Sequence, residues 1–255
     1  MKSLLKLFVI VILVSVVFYG KPAAAQSSTT TEAKNEAEQN KWQEALKIYA
    51  GPHIADLVNK SEKVPVENNE IVFKGTVVFI DNKGFQSVPT CSEKTVIEGQ
   101  RQLMRIIFEA IENNGGFVHQ QMGDCVIAIF GWNQSADHAE NAMTCYKQVK
   151  KELADFNKKY MAAGIPEIRL ATSMDCGNIV TLISGTPNRQ YCSFLGLPTQ
   201  TAASLQADCC ESEHSIMVSH RIHAAVSEGL QKELVEVAKR FETGEIEPLP
   251  VYTLP

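Results

Sequence analysis

Two aspartates stand where a pair of carboxylates could act together. Asp81 closes the apolar run "IVFKGTVVFID", and Asp124 sits in a Gly-Asp turn inside "GGFVHQQMGDCVIAIFG". A carboxylate at a strand end and another at a hairpin tip can converge on hard divalent cations. Two such cations can clamp the attacking and leaving oxygens of a phosphoryl transfer. Aspartate in turns also serves local hydrogen bonding, so spacing alone leaves both uses open. His220 and His223 share the short stretch "SHRIH", with His214 and the Cys209-Cys210 pair nearby; this set could bind a metal or simply begin a solvated helix. His119 and His138 have no evident partner and read as surface or packing residues. The seven cysteines, Cys91, Cys125, Cys145, Cys176, Cys192, Cys209 and Cys210, contain no CxxC pair, so a structural zinc site has little support. Several lie in apolar runs, where a free thiol packs as a small hydrophobe. Gly115-Gly116 and Gly185 fall between elements, and the GxxxxGK[ST] phosphate loop is missing.

The elements around the aspartates follow from periodicity. "IVFKGTVVFID" reads as a strand with Val77, Phe79 and Asp81 on one face. Leu103, Ile106, Ile107, Ala110 and Ile111 keep helical spacing from Thr95 to Asn114, and Gly115-Gly116 ends that helix. After the Asp124 hairpin a second helix is expected from Ser135 or Asp137, with a stripe of Ala139, Ala142, Met143, Tyr146, Val149, Leu153 and Phe156. "IRLATSM" and "NIVTLIS" read as strands around Asp175, "TQTAASLQADCC" as a helix, "SIMVS" as a strand, and "GEIEPLPVYTL" as a final extended segment. Strands alternating with helices, hairpins mixed in, predict an α+β fold on a mixed or antiparallel sheet.

With 255 residues and 45% hydrophobic content, the chain can build one sizeable core. A net charge of −5 gives no basic footprint, which argues against nucleic acid as a partner. The N-terminus combines Lys2 and Lys6, the apolar run "LFVIVILVSVVFY" and the small residues of "GKPAAAQ". That order predicts a signal peptide cut after Ala25, or a membrane anchor over the same residues, and export in either case. Residues 26–60 are expected to be a polar flexible spacer followed by a short linker helix between Trp42 and Val58, with one domain over 61–255.

In their order along the chain these segments resemble the class III adenylate and guanylate cyclase catalytic domain. "VVFIDNKGF" resembles its first metal signature and "GGFVHQQMGDCVIAIFG" its second. "HAENAMTCYKQVKKEL" is similar to the following helix, and "IRLATSMDCGNIVTLISGTPNRQYCSFLGLPTQTAASLQA" to the segment bearing the other half of the active site. "ETGEIEPLPVYTL" looks like the final strand. The resemblance implies a ferredoxin-like core, a head-to-tail dimer, and conversion of a nucleoside triphosphate, ATP first among them, to a 3′,5′-cyclic nucleotide and pyrophosphate. It implies two Mg²⁺ or Mn²⁺ ions on Asp81 and Asp124, and substrate contacts from Gln120, Ser193 and Gln200. Gln120 stands where the family has a base-reading Lys or Glu, Gln200 where it has Asn, and Ser204 where it has the arginine that steadies the phosphates. One half-domain of the mammalian enzymes keeps the metal aspartates and lacks that Asn and Arg, which its partner half supplies, and this chain resembles it down to Cys125. The resemblance therefore implies a complementary partner subunit for turnover. The same fold could also serve as an inactive nucleotide- or metal-binding module, or as an exported interaction domain.

Overall fold

The computed structural model describes residues 29–60, 70–83, 94–162, 167–186, 189–242 and 246–255. The expected leader over 1–25, the Gly84-Phe85 end of the first signature, and Cys91 lie outside them. Two compact units are formed, one from the described parts of 1–69 with 182–193, the other from 70–181 with 194–255.

In the first unit, α1 (Thr29–Ala50) and α2 (Pro52–Lys60) meet at Gly51, whose φ of 88° suits glycine, and Pro52 opens α2. Two expectations change here. The presumed flexible spacer is helical from Thr29, because Ala, Glu, Gln and Lys lose little side-chain freedom in a helix. The single linker helix becomes two, broken where Gly51-Pro52 interrupts the hydrogen-bond ladder. Among the described residues no helix is long and apolar enough to cross a membrane.

The second unit opens with β1 (Val72–Lys83), α3 (Lys94–Asn113), β2 (Gly116–Met122), β3 (Cys125–Phe130), α4 (His138–Met161) and the part of β4 (Arg169–Thr186) up to Thr181. β5 (Arg189–Leu195) pairs with β4. Then come α5 (Leu197–Glu211), β6 (Ile216–Ser219), α6 (His220–Ala225), α7 (Glu228–Glu233), β7 (Val235–Arg240) and β8 (Leu249–Thr253). The main path of the sheet runs β2-β3-β1-β4-β6-β8-β7, all antiparallel except β4 with β6. Its first six elements form the expected βαββαβ core with strand order β4-β1-β3-β2. Alternation on β1 divides the interior. Val78 and Ile80 join Leu103, Ile107 and Ile111 of α3 and Met143 and Tyr146 of α4 in the main core. On the opposite face α5 lays Leu205 and Cys209 against Ala171, Met217 and Val251.

The two strands expected around Asp175 are one strand of 18 residues. Asp175 is fully buried within it. Its carboxylate accepts from the Cys176 N–H at 2.8 Å, from Arg221 Nε at 2.9 Å and Nη2 at 2.6 Å, and from the Ser219 hydroxyl. Arg221 also donates to Thr201 Oγ1 at 3.1 Å and pairs with Glu242 at 2.7 Å. Burial pushes the Asp175 carboxyl up, and the Arg221 and Ser219 hydrogen bonds pull against it. A charge can therefore interrupt the apolar run without ending the strand, because a bidentate guanidinium meets it.

The histidine set does not form a metal site. His223 stacks on Tyr252 with centroids 4.2 Å apart, while His220 lies 4.0 Å from Glu242. His138, for which no partner was evident, shares a 2.9 Å hydrogen bond with Thr76 Oγ1. The six described cysteines are free thiols.

Candidate active site

β1, flanked by β3 and β4, delivers Asp81 towards one end of the sheet, beside Ala171 of β4, and Ile80 just before it pairs with Val126 of β3. The half-buried carboxylate accepts from the Asn82 N–H at 2.9 Å, and the Cys210 thiol donates to it at 3.7 Å. The β2-β3 hairpin brings the second carboxylate. Met122 pairs with Cys125, leaving Gly123 and Asp124 as the turn, and Gly123 takes a φ of +64°. Burial raises the Asp124 pKa, its own backbone N–H opposes this, and the Asp81 charge adds to the rise. Burial and the same two carboxylates, with Cys210, push the Cys125 thiol up to about 12. Asp81, Asp124, Cys125 and Cys210 thus gather at one end of the sheet.

Among the described residues no group of three or more His, Cys, Asp or Glu side chains is arranged to hold a metal ion alone. A pair of neighbouring carboxylates nevertheless fits Mg²⁺ or Mn²⁺. Mg²⁺ typically takes one or two carboxylates and fills its octahedron with water and substrate phosphates. A bound cation would offset the burial that raises Asp124 and the smaller repulsion from Asp81.

α5 carries the second group. Gly196 opens it with a φ of 141°, and a Cβ there would meet Asn178 O at 2.6 Å, so this entry requires glycine. Gln200, Ser204 and Asp208 follow one another at helical-turn spacing on one stripe, Gln200 being exposed. Arg240 at the end of β7 lies along that stripe, donating from Nη2 to Ser204 Oγ and from Nη1 to Asp208 Oδ2. Position 204 carries no cation of its own; the fold brings one. Nothing local in "VEVAKRF" marks Arg240, because only the β7-β8 pairing carries it to α5. At the far end of α5, Lys83 Nζ donates to the carbonyls of Ser212 at 2.7 Å and His214 at 2.6 Å.

Gln120 is exposed on β2, just past a register shift at Val118. Its neighbour His119 packs edge-on to Phe194 at 4.7 Å, and Phe194 also meets Phe117 at 5.7 Å. Ser193 is half-buried on β5. Within one chain the acidic pair and the head of α5 do not join. Cys210 touches Asp81, and Gln200 lies ten residues earlier on the same helix, about 15 Å along its axis. A cavity of about 230 Å³ between α4 and β4, lined by Tyr146, Lys150, Leu153, Arg169 and Glu213, includes neither aspartate.

Burial lowers the His119 pKa to about 4. Its neutral form is the one packed, so the associated stability is complete above the ordinary imidazole pKa and is lost as pH falls towards 4. At about 1.36 kcal/mol per pK unit the loss amounts to roughly 3 kcal/mol by pH 4. Urea unfolding at a series of pH values should show this acid-side loss in the wild type, and a smaller one in His119→Phe.

No protein-family profile matches the chain, and no curated protein matches it in sequence. Solved structures do match its fold. The adenylyl cyclase CyaB from P. aeruginosa superposes with a TM-score of 0.63 at 19% identity, over 73% of this chain and 95% of that one. A bacterial light-regulated adenylyl cyclase gives 0.67 at 17% identity, over 90% and 66%. The guanylate cyclase domain of RhGC from Catenaria anguillulae gives 0.58 at 16% identity, over 73% and 97%. The β4-β1-β3-β2 core, with Asp81 and Asp124 at one end of its sheet and α5 laid across one face, is thus the fold of the class III adenylyl and guanylyl cyclase catalytic domain.

Proposed function

We propose that this chain is a class III nucleotide cyclase that works as a head-to-tail dimer and converts a nucleoside triphosphate to a 3′,5′-cyclic nucleotide and pyrophosphate. The supporting observation is the separation inside one chain. Asp81 and Asp124 lie near each other at one end of the sheet, while the Gln200–Ser204 stripe begins about 15 Å away along α5. A second chain, turned head to tail, would bring its own stripe to face the first chain's acidic pair. Asp81 and Asp124 would hold two Mg²⁺ or Mn²⁺ ions, which supply charge compensation at the triphosphate and a more acidic ribose 3′ hydroxyl. In the reaction the 3′ oxygen forms a bond to the α-phosphorus and its proton passes to water. The bond from that phosphorus to the oxygen bridging to the β-phosphate breaks, and its electron pair leaves with pyrophosphate. Gln120 and Ser193 would contact the base, and Gln200 the ribose. A partner half carrying Asn and Arg at the positions of Gln200 and Ser204 would complete the site fully. The N-terminal run would export the domain or tether it to a membrane.

The test is incubation of the purified chain with Mn²⁺ and ATP, then GTP, alone and with such a partner half, with cyclic product measured by chromatography. Product in either arrangement is the expected result, and none in any arrangement overturns the reading. A second reading, nucleotide binding without turnover, is favoured by Gln200 and Ser204. Metal-dependent triphosphate binding with no product would select it.

A further inference from the structure

We infer that Arg240 takes the place of the missing α5 arginine, so that a dimer of this chain carries its own phosphate-steadying cation. The inference rests on the cyclase reading above and changes which residue completes the site. Position 204 has a short neutral hydroxyl, which cannot compensate charge on a phosphate oxygen. The guanidinium of Arg240 is nonetheless at that position: one arm donates to Ser204 Oγ and the other to Asp208, one turn further along α5. A side chain from β7 therefore supplies to the α5 surface the group that α5 itself does not carry.

Three features suit Arg240 to this role. A guanidinium is planar, permanently charged and matched to phosphate oxygens in pairs. The side chain is 31% exposed, so a ligand can reach it. Its present carboxylate partner, Asp208, is 53% exposed, and a pair this open is worth only about 0–1 kcal/mol. A triphosphate bearing several charges can displace it. Ser204 then has a role of its own. An arginine at 204 would occupy the space where Arg240 now rests, whereas serine leaves it open and accepts a hydrogen bond that aims the fork along the stripe. In the reaction Arg240 would pair with non-bridging phosphate oxygens as charge builds on the departing pyrophosphate. It moves no proton and forms no covalent bond.

The test uses the full chain with Mn²⁺ and ATP, and compares wild type, Arg240→Ala, Arg240→Lys and the double variant Ser204→Arg/Arg240→Ala. An arginine that compensates phosphate charge in the transition state is worth about 10³ to 10⁵ in rate. Arg240→Ala should therefore lose about 10³-fold in kcat, Arg240→Lys should keep part of it, and the double variant should recover activity by restoring a cation from position 204. Recovery separates charge from folding, since a merely structural role for Arg240 would not be rescued by an arginine on another element. Wild-type rate in Arg240→Ala overturns the inference and leaves the cyclase reading intact. If the wild type makes no product, the cyclase reading falls and Arg240 is judged by titration with fluorescent ATP and with adenosine. A loss of about tenfold or more for ATP in Arg240→Ala, with adenosine unchanged, supports the phosphate role; equal ATP affinity, or no ATP binding by the wild type, overturns it.

Discussion

Asp81→Asn is expected to lower cyclic nucleotide formation by at least about 10³-fold. Charge stabilisation by a metal pair contributes several kcal/mol, and each 1.36 kcal/mol is about tenfold in rate. The amide keeps an oxygen to accept the Asn82 N–H, so the strand end survives, while one of the two proposed anionic ligands is lost. Unfolding temperatures provide an independent readout. Asp124 is held above its ordinary pKa by burial, with the Asp81 charge adding to it. Its ionisation in the folded, metal-free protein therefore costs stability. That cost is absent below the ordinary carboxylate pKa and grows as pH rises through the raised value. Mn²⁺ should accordingly raise the unfolding temperature of the wild type at neutral pH and do little at acid pH. In Asp81→Asn the metal-free protein should be at least as stable as wild type, and the Mn²⁺ effect should vanish. A variant that keeps wild-type activity would remove Asp81 from the metal site.

The second large effect concerns folding. Arg221→Met should cost about 3–5 kcal/mol, because it strands the fully buried Asp175 carboxylate without its counter-charge. Against a total stability of about 5–15 kcal/mol this is a substantial fraction. Asp175→Asn/Arg221→Met should recover much of the loss, since it removes the orphaned charge and leaves a hydrogen-bonding side chain for Ser219 and the Cys176 N–H. The single variant should also become relatively more stable as pH falls, when the stranded carboxyl takes up a proton. Denaturant unfolding of the three proteins at two pH values measures both. A cost below about 1 kcal/mol would mean that water reaches Asp175.

The parts of the fold legible in the sequence are those set by local pattern. The alternation of β1, the helical stripes of α3 and α4, and the Gly-Asp turn each signal themselves within a dozen residues or so. The unity of β4 was hidden because Asp175 interrupts its apolar run, and only Arg221, Ser219 and Thr201, brought in by β6, α6 and α5, explain how a charge is tolerated there. At the candidate site, the strand-end and hairpin-tip positions of the two aspartates could be read, but their convergence depends on the β1-β3 register and the hairpin length. Arg240 could not be found at all, since its meaning comes from a residue on another element. Likewise, the polar composition of α1 pointed to a spacer, although its residues individually favour helix.

Lys83 has a mechanical corollary. Its ammonium grips the two carbonyls just beyond α5, two residues along β1 from Asp81, and so ties the Asp81 corner to the C-terminal end of that helix. In the proposed head-to-tail pair each such helix would reach from one cleft to the other. If that proposed pair binds nucleotide, filling one cleft is expected to alter the affinity of its twin through that helix.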